Sequence, residues 1–322
     1  MSPSDLPFVS VVVPVYNDPA GIRATLESLV AQTYPSEAYE VVVVDNGSID
    51  ETLEVARAVA TIHPDLVRVE RETDVQGSYA ARNTGIRASS GEYLAFVDAD
   101  VVADADWLAA GVSAMCERDA DYVGCRVDVA CPEGTLVGRF NQCTGFPVER
   151  YVEQNEFAPT CALFVARDVF RDLGPFDADL VSGGDTEFGQ RVAASGRELH
   201  YAPEVRVTHP ARTSLRSLLE KYVRIGRGVT QRRRTYPDRY DPHPIWHPIS
   251  FAPPHPLRFH RTFGDSWTTL SPTERAGMYA IGYLRRLAET AGRLAETAGR
   301  LTETAGRLTD TGAGLTERIR IG

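Results

Sequence analysis

Cysteine is scarce and without pattern. Cys116, Cys125, Cys131, Cys143 and Cys161 are odd in number and contain no C-x-x-C pair, which speaks against a disulfide framework and a zinc knuckle and leaves reduced, mostly buried thiols. Lysine is scarcer still: Lys221 stands alone, so the positive charge is almost all arginine. A formal net charge of -10 disfavours a nucleic-acid partner, because phosphate neutralisation draws on a surplus of Lys and Arg. Long apolar runs are missing too. No stretch approaches the roughly 18 uninterrupted apolar residues of a spanning helix, and Met1-Ser2-Pro3-Ser4-Asp5 lacks the basic-then-apolar opening of a secretory signal. The expected location is the cytoplasm, with peripheral contact at the inner face of the cell membrane as a further possibility. No Gly-rich loop follows the first apolar run, where the chain reads Pro14-Val15-Tyr16-Asn17. A dinucleotide oxidoreductase needs G-x-G-x-x-G at that place, and a sugar nucleotidyltransferase needs a Gly-rich phosphate loop of its own.

What is present is an alternation of strands and helices. At 322 residues and 43% hydrophobic composition, the chain can bury one large α/β core or two modest ones. Residues 8–15 are a β-branched apolar stretch, and Asn17-Asp18-Pro19 behind it offers a cap and a first-turn proline to a helix running toward Gln32. The unit recurs: residues 41–44 are fully apolar, and Ser48-Ile49-Asp50-Glu51 is a capping box. Residues 66–69 and 93–97 read as two further strands, with a helix over 80–88 between them. This order predicts an α/β fold whose mainly parallel sheet carries helices on both faces. Later in the chain, strands are expected over 122–129 and 161–165 and a helix over 187–194, with less regular sequence up to Pro159.

Beyond His209 the composition shifts. Arg212, Arg216, Lys221, Arg224, Arg227 and Arg232-Arg233-Arg234 form a basic stretch, and residues 237–256 are rich in Pro and His around Trp246 and Phe251. Such a stretch meets a pyrophosphate on the acceptor or an anionic membrane surface, with Trp246, Phe251 and Phe259 at a lipid interface, or it is a solvated helix beside an aromatic patch. From Arg286 a heptad repeats, Arg286-Leu287-Ala288-Glu289-Thr290-Ala291-Gly292 and onward, with Leu287, Ala291, Leu294, Ala298, Leu301, Ala305 and Leu308 at its core positions. A glycine in each heptad costs about 1 kcal/mol relative to alanine, so this tail is a helix that self-associates, a helix that lies on a membrane, or a disordered extension. The domain expectation is 1–210, 211–285 and 286–322.

Ligands of parallel α/β sheets bind at the carboxyl ends of the strands, which singles out Tyr16-Asn17-Asp18, Asp45-Asn46-Gly47-Ser48 and Asp98-Ala99-Asp100. Two carboxylates spaced as Asp98-x-Asp100 can turn their oxygens to one side, and the small Ala99 leaves room for a diphosphate. Hard oxygen ligands of this kind suit Mg²⁺ or Mn²⁺. Asp45 can accept from a nucleobase N–H or a ribose hydroxyl, or serve as a plain turn carboxylate. Arg82 stands where it can meet a phosphate or sit on a helix surface.

Read together, Ser10-Val11-Val12-Val13-Pro14-Val15-Tyr16-Asn17-Asp18, Val43-Val44-Asp45-Asn46-Gly47-Ser48, Ala81-Arg82-Asn83-Thr84-Gly85, Gly91-Glu92-Tyr93-Leu94-Ala95-Phe96-Val97-Asp98-Ala99-Asp100, Gly174-Pro175-Phe176-Asp177 and Gly183-Gly184-Asp185-Thr186-Glu187-Phe188 closely resemble glycosyltransferase family 2. The resemblance covers about two thirds of the chain, in order, and continues through Tyr201-Ala202-Pro203 to His209. It implies the GT-A fold and an inverting transfer of a sugar from a nucleotide-diphosphate donor (UDP-, GDP- or TDP-linked) to a hydroxyl or phosphate acceptor on a glycan or a lipid carrier. By the same resemblance Pro14, Val15, Tyr16, Asp45 and Arg82 are nucleotide contacts. Asp98 and Ala99 belong to the donor site, Asp100 and His209 to the metal, and Asp185 is the catalytic base, with Glu187 as its rival. Where many members carry Glu-Asp, this chain has Gly184-Asp185.

Overall fold

The computed structural model describes residues 6–240 and 247–319, with residues 258, 265 and 300–319 described by backbone only. Trp246 lies outside the described residues. The chain forms two compact units, Met1–Thr213 and Ser214–Gly322.

The first unit is built on one eight-stranded sheet. Its strands are β1 (Val9–Val15), β2 (Tyr39–Asp45), β3 (Val67–Arg71), β4 (Tyr93–Val97), β5 (Val102–Ala103), β6 (Tyr122–Ala130), β7 (Ala162–Ala166) and β8 (Leu199–Pro210), in the order β3-β2-β1-β4-β7-β6-β8-β5. The helices between them are α1 (Pro19–Val30), α2 (Thr52–Ile62), α3 (Ser78–Ala88), α4 (Trp107–Glu117), α5 (Leu136–Thr144), α6 (Val148–Asn155), α7 (Arg167–Leu173) and α8 (Gly184–Ala194). Every residue of β1 is buried, as expected of a central strand covered on both faces. α1 starts where the sequence indicates, with the Asp18 side chain accepting from Gly21 N at 2.8 Å and Pro19 in the first turn.

The sheet is parallel from β3 through β4, antiparallel at β7, and parallel again between β6 and β8. Two successive antiparallel steps restore the original direction, so β6 and β8 point the same way as β1. Register then aligns the strand ends: Val15 stands beside Asp45, Asp45 beside Arg71, and Val129 beside His209. The short β5 follows the Asp98-Ala99-Asp100 turn directly and pairs with the end of β8, Val102 with Thr208 and Ala103 with Val207. That pairing ties the acidic turn to His209 across more than a hundred residues of chain.

α5 and α6 occupy the region that the sequence left irregular. Two of the five cysteines, Cys125 and Cys161, are buried, two are half-buried, and Cys116 is exposed; all are reduced. Burial pushes the Cys125 thiol up from its ordinary value.

The second unit consists of α9 (Leu215–Thr235), α10 (Pro256–Arg261) and α11 (Pro272–Ile319), with short 3₁₀ turns at Pro248–Ser250 and Gly264–Trp267. α11 opens on a capping box in which Ser271 N donates to Glu274 Oε2 at 2.8 Å and Glu274 N donates to Ser271 Oγ at 3.3 Å. From there it runs unbroken through the 285/286 boundary expected from the start of the heptads, because nothing in Tyr283-Leu284-Arg285 breaks a helix. Phe259, expected at an interface, is instead core: it is buried against Phe263, Trp267 and Tyr279, with ring centroids at 5.0, 5.8 and 5.2 Å.

The heptad glycines have unequal roles. Gly226 of α9 and Gly292 of α11 are where the two backbones meet: a Cβ at Gly226 would collide with the Glu289 carbonyl, and one at Gly292 with the Val223 carbonyl. Gly299 has nothing within 4 Å of its Cβ position. Gly292→Ala is therefore expected to destabilise the protein by about 1–3 kcal/mol through overpacking, whereas Gly299→Ala gains up to about 1 kcal/mol of helix propensity. Urea unfolding of the two variants checks the order, and a reversal contradicts the close crossing.

Candidate active site

The polar residues after β1, β2 and β4 share one edge of the sheet, and those after β1 and β2 are bonded to one another. Asn17 takes a left-handed conformation (φ 51°). Its N–H donates to Ser48 Oγ at 3.0 Å and its Oδ1 accepts from Ile49 N at 2.9 Å. The turns after β1 and β2 are thereby stitched together. Asn46 does the same for the next turn: Nδ2 donates to the carbonyls of Glu72 and Val75, each at 3.0 Å, and Oδ1 accepts from Gly77 N at 2.6 Å. Glu72 is held below the usual carboxylate range, first by its 2.5 Å bond from Thr84 and then by the Val75 and Asp74 N–H groups, against the opposing effect of burial.

The expected donor residues divide by exposure. Tyr16 is 50% exposed at the edge, whereas Pro14, Val15 and Ala99 are buried. Asp45 has no exposed surface; its carboxylate accepts from Ser48 N at 3.2 Å and pairs with Arg71 Nε at 3.4 Å. Arg71 is itself half-exposed. Arg82 is not a surface helix residue. It is buried in α3, and Nη2 donates to Asp98 Oδ1 at 2.5 Å while its guanidinium lies over the Tyr79 ring.

Tyr79 is the residue that motif reading passed over. Its hydroxyl donates to Asp185 Oδ1 at 3.4 Å and accepts from Asp185 N at 3.3 Å. A chain of contacts thus runs from Asp98 through Arg82 and Tyr79 to Asp185. Behind it Phe96, Phe170, Phe176 and Phe188 pack ring to ring, with Tyr79 against Phe176 at 5.9 Å. Tyr79 also accounts for Gly184, since a Cβ there would lie 2.8 Å from its ring. Any larger residue at this position requires the Tyr79 ring to shift.

Asp185 and Glu187 share the first turn of α8 but not their surroundings. Asp185 is half-buried and accepts from Thr186 N at 2.8 Å. Glu187 is 1% exposed and forms a two-pronged pair with Arg191, Nε to Oε1 at 3.1 Å and Nη2 to Oε2 at 3.0 Å. Arg191 in turn donates to the carbonyls of Leu173, Gly174 and Pro175. That is the arrangement of a structural ion pair.

On the far side of the acidic turn, His209 Nε2 stands 3.6 Å from Asp100 Oδ1. Its Nδ1 lies 2.7 Å from the Pro210 carbonyl, which can only accept, so Nδ1 carries a proton and Nε2 is the nitrogen that faces Asp100. Asp100 is held above the usual carboxylate range by burial first; His209 opposes this, Asp98 and Asp18 add to it, and Arg212 opposes it. A crowded carboxylate facing an imidazole nitrogen is a donor set that fits a divalent cation. Among the described residues no group of three or more His, Cys, Asp and Glu side chains forms a full cage, and Mg²⁺-type sites are ordinarily completed by substrate phosphates and water.

Comparisons with known proteins first define the class. The chain has the GT-A glycosyltransferase fold, matching the mannosyltransferase PcManGT from Pyrobaculum calidifontis, solved in complex with GDP-Man and Mn²⁺, with a TM-score of 0.62 at 22% identity over 92% of this chain and 88% of that one. It also matches S. aureus TarS 1-349 in complex with UDP-GlcNAc, with a TM-score of 0.53 at 19% identity over 92% of both chains. At the level of sequence, the Glycosyl transferase family 2 model matches residues 10–173. The glycosyltransferase AglE of Haloferax volcanii is 38% identical over 294 residues, 90% of this chain and 96% of that protein. The chain belongs to glycosyltransferase family 2.

Proposed function

We propose that this glycosyltransferase transfers a sugar, with inversion, from a nucleoside-diphosphate donor bound along the ends of β1, β2 and β4 to a hydroxyl of a carbohydrate or lipid-linked acceptor. The observation that carries the reading is the contact chain from Asp98 through Arg82 and Tyr79 to Asp185, which supports placing the donor-side carboxylates and a candidate base in one constellation. Asp100 and His209 are the residues that would hold Mg²⁺ or Mn²⁺. A divalent ion there supplies Lewis-acid neutralisation of the diphosphate as it leaves. Arg82 is held by Asp98 and adds fixed positive charge at the donor end of the site. Asp185 takes the proton of the acceptor hydroxyl as that oxygen attacks the anomeric carbon, and Tyr79 orients the carboxylate. Glu187 is not available for that role while it is locked to Arg191.

The donor class is tested by thermal unfolding with UDP-, GDP- and TDP-sugars, each with Mg²⁺ and with Mn²⁺. One nucleotide is expected to stabilise the protein by about 2.7 kcal/mol at a hundredfold excess over its Kd, read as a rise of a few degrees in Tm, only when a divalent metal is present. Stabilisation by none of them would remove the donor-site reading.

A further inference from the structure

The second unit differs from the first in charge. Residues 214–322 hold 18 Lys and Arg against 10 Asp and Glu, a net of +8, while residues 1–213 hold 16 against 34, a net of -18. Within the second unit two faces of α11 are occupied. One meets α9 through Gly292, through the Arg227–Glu296 ion pair at 3.3 Å, and through Arg285 over the Tyr222 ring. The next takes the carbonyls of a proline-rich segment: Thr290 donates to Ser250 O at 3.0 Å, Tyr283 to Phe251 O at 2.9 Å and Arg286 to Ala252 O at 2.9 Å.

The third face carries none of these contacts and is partly exposed, with Leu287 and Leu294 half-buried. At about 100° per residue, Leu284, Leu287, Ala291, Leu294 and Ala298 fall on one arc, flanked by Ala288 and Ala295, and no charged residue between 284 and 298 shares it. Leu284 is 38% exposed, and Ala291 and Ala298 are exposed. The proline-rich segment beside the arc leaves Ile249 56%, Phe251 39% and Leu257 68% exposed. Exposed Ile, Phe and Leu on a unit with a cationic excess suit the boundary between headgroups and acyl chains.

We propose that the second unit docks on an anionic lipid surface through the outward arc of α11 together with Ile249, Phe251 and Leu257, with its surplus arginines against the headgroups. Charge decides between this occupant and a second copy of the chain. A copy would bring +8 against +8, and the flanks of the arc hold Ala and Thr rather than the opposite charges that fix pairing between helices. A negatively charged bilayer is complementary to the whole unit. This surface is made of residues other than those proposed for catalysis, and the proposal does not rest on that reading.

The test is flotation of the full chain with vesicles of phosphatidylcholine alone and of about two parts phosphatidylcholine to one part phosphatidylglycerol at low salt. The chain is expected to partition at least about tenfold better onto the anionic vesicles. The neutral double variant Phe251→Gln with Leu257→Gln is expected to lose about tenfold of that binding, while its circular dichroism and its donor-dependent thermal shift stay as in the parent. Both side chains are exposed, so the substitutions leave the core intact. The proposal is overturned by absence of flotation, or by equal flotation of the variant. It is also overturned by a concentration-dependent dimer that the same substitutions dissociate in the absence of vesicle binding. Because partition is measured without donor, its failure leaves the catalytic reading standing, and failure of the donor screen leaves this one standing.

Discussion

Asp185→Asn is expected to lower kcat by about 10² to 10⁴ with little change in KM for the donor, the loss that follows removal of a general base. The amide keeps the shape, and its oxygen still accepts from the Tyr79 hydroxyl and Thr186 N, but it cannot take up a proton. Glu187→Gln supplies the contrast. That residue is buried and paired on both oxygens with Arg191, so neutralising it leaves the half-buried Arg191 guanidinium without its counter-charge and costs up to about 3 kcal/mol of stability, with kcat per folded molecule retained. Steady-state kinetics combined with urea unfolding separate the two. A Glu187→Gln variant that is stable and inactive would exchange the roles. Tyr79→Phe removes the hydroxyl that both donates to and accepts from Asp185, and is expected to show a smaller loss in kcat than Asp185→Asn, again without a matching change in KM.

The second large effect belongs to the other end of the site. Asp100→Asn is expected to lower kcat/KM by about 10² or more, since Lewis-acid assistance to a leaving diphosphate contributes several kcal/mol, and to raise the Mn²⁺ concentration needed for half-maximal rate. His209→Ala is expected to shift the metal requirement in the same direction while affecting stability less, because the ring lies at the end of β8 and its Nδ1 bond is to the neighbouring Pro210 carbonyl. Titration of activity with Mn²⁺ checks both. An unchanged metal requirement in His209→Ala, with turnover intact, takes His209 out of the site.

The parts of the fold that were legible in the sequence are those coded by contiguous residues. β1, β2 and β4 each contain an apolar run that leads to Tyr16, Asp45 and Asp98, and the strand-end rule alone places these on one edge. The contacts that assemble the site are mostly not local. β5 is two residues long and exists because β8 pairs with it, so no pattern near Val102 announces it. Tyr79 reads as one more helix residue until Gly184, more than a hundred positions away, proves to be the space its ring requires. The local sequence suits Arg82 as a phosphate contact and as a surface residue alike; its burial against Asp98 reflects how α3 lies on the sheet, which spacing does not encode. Glu187 and Arg191 form an i,i+4 pair that was visible and whose burial was not. In the second unit the glycine at 292 reads as a helix penalty, and only the facing Gly226 shows it to be a contact. The start of α11 was more legible than the heptads implied, since Ser271-Pro272-Thr273-Glu274 is a capping box with a first-turn proline.

The most direct test of the central claim is the position of Mn²⁺ in a crystal of the full chain grown with the nucleoside diphosphate that stabilises it most, located by anomalous scattering. The expected result is a peak coordinated by Asp100 and His209, with the nucleotide along the ends of β1 and β2 and Asp185 facing the vacant sugar position. A metal bound away from the Asp98-Ala99-Asp100 turn, or a nucleotide at the opposite edge of the sheet, would contradict the account.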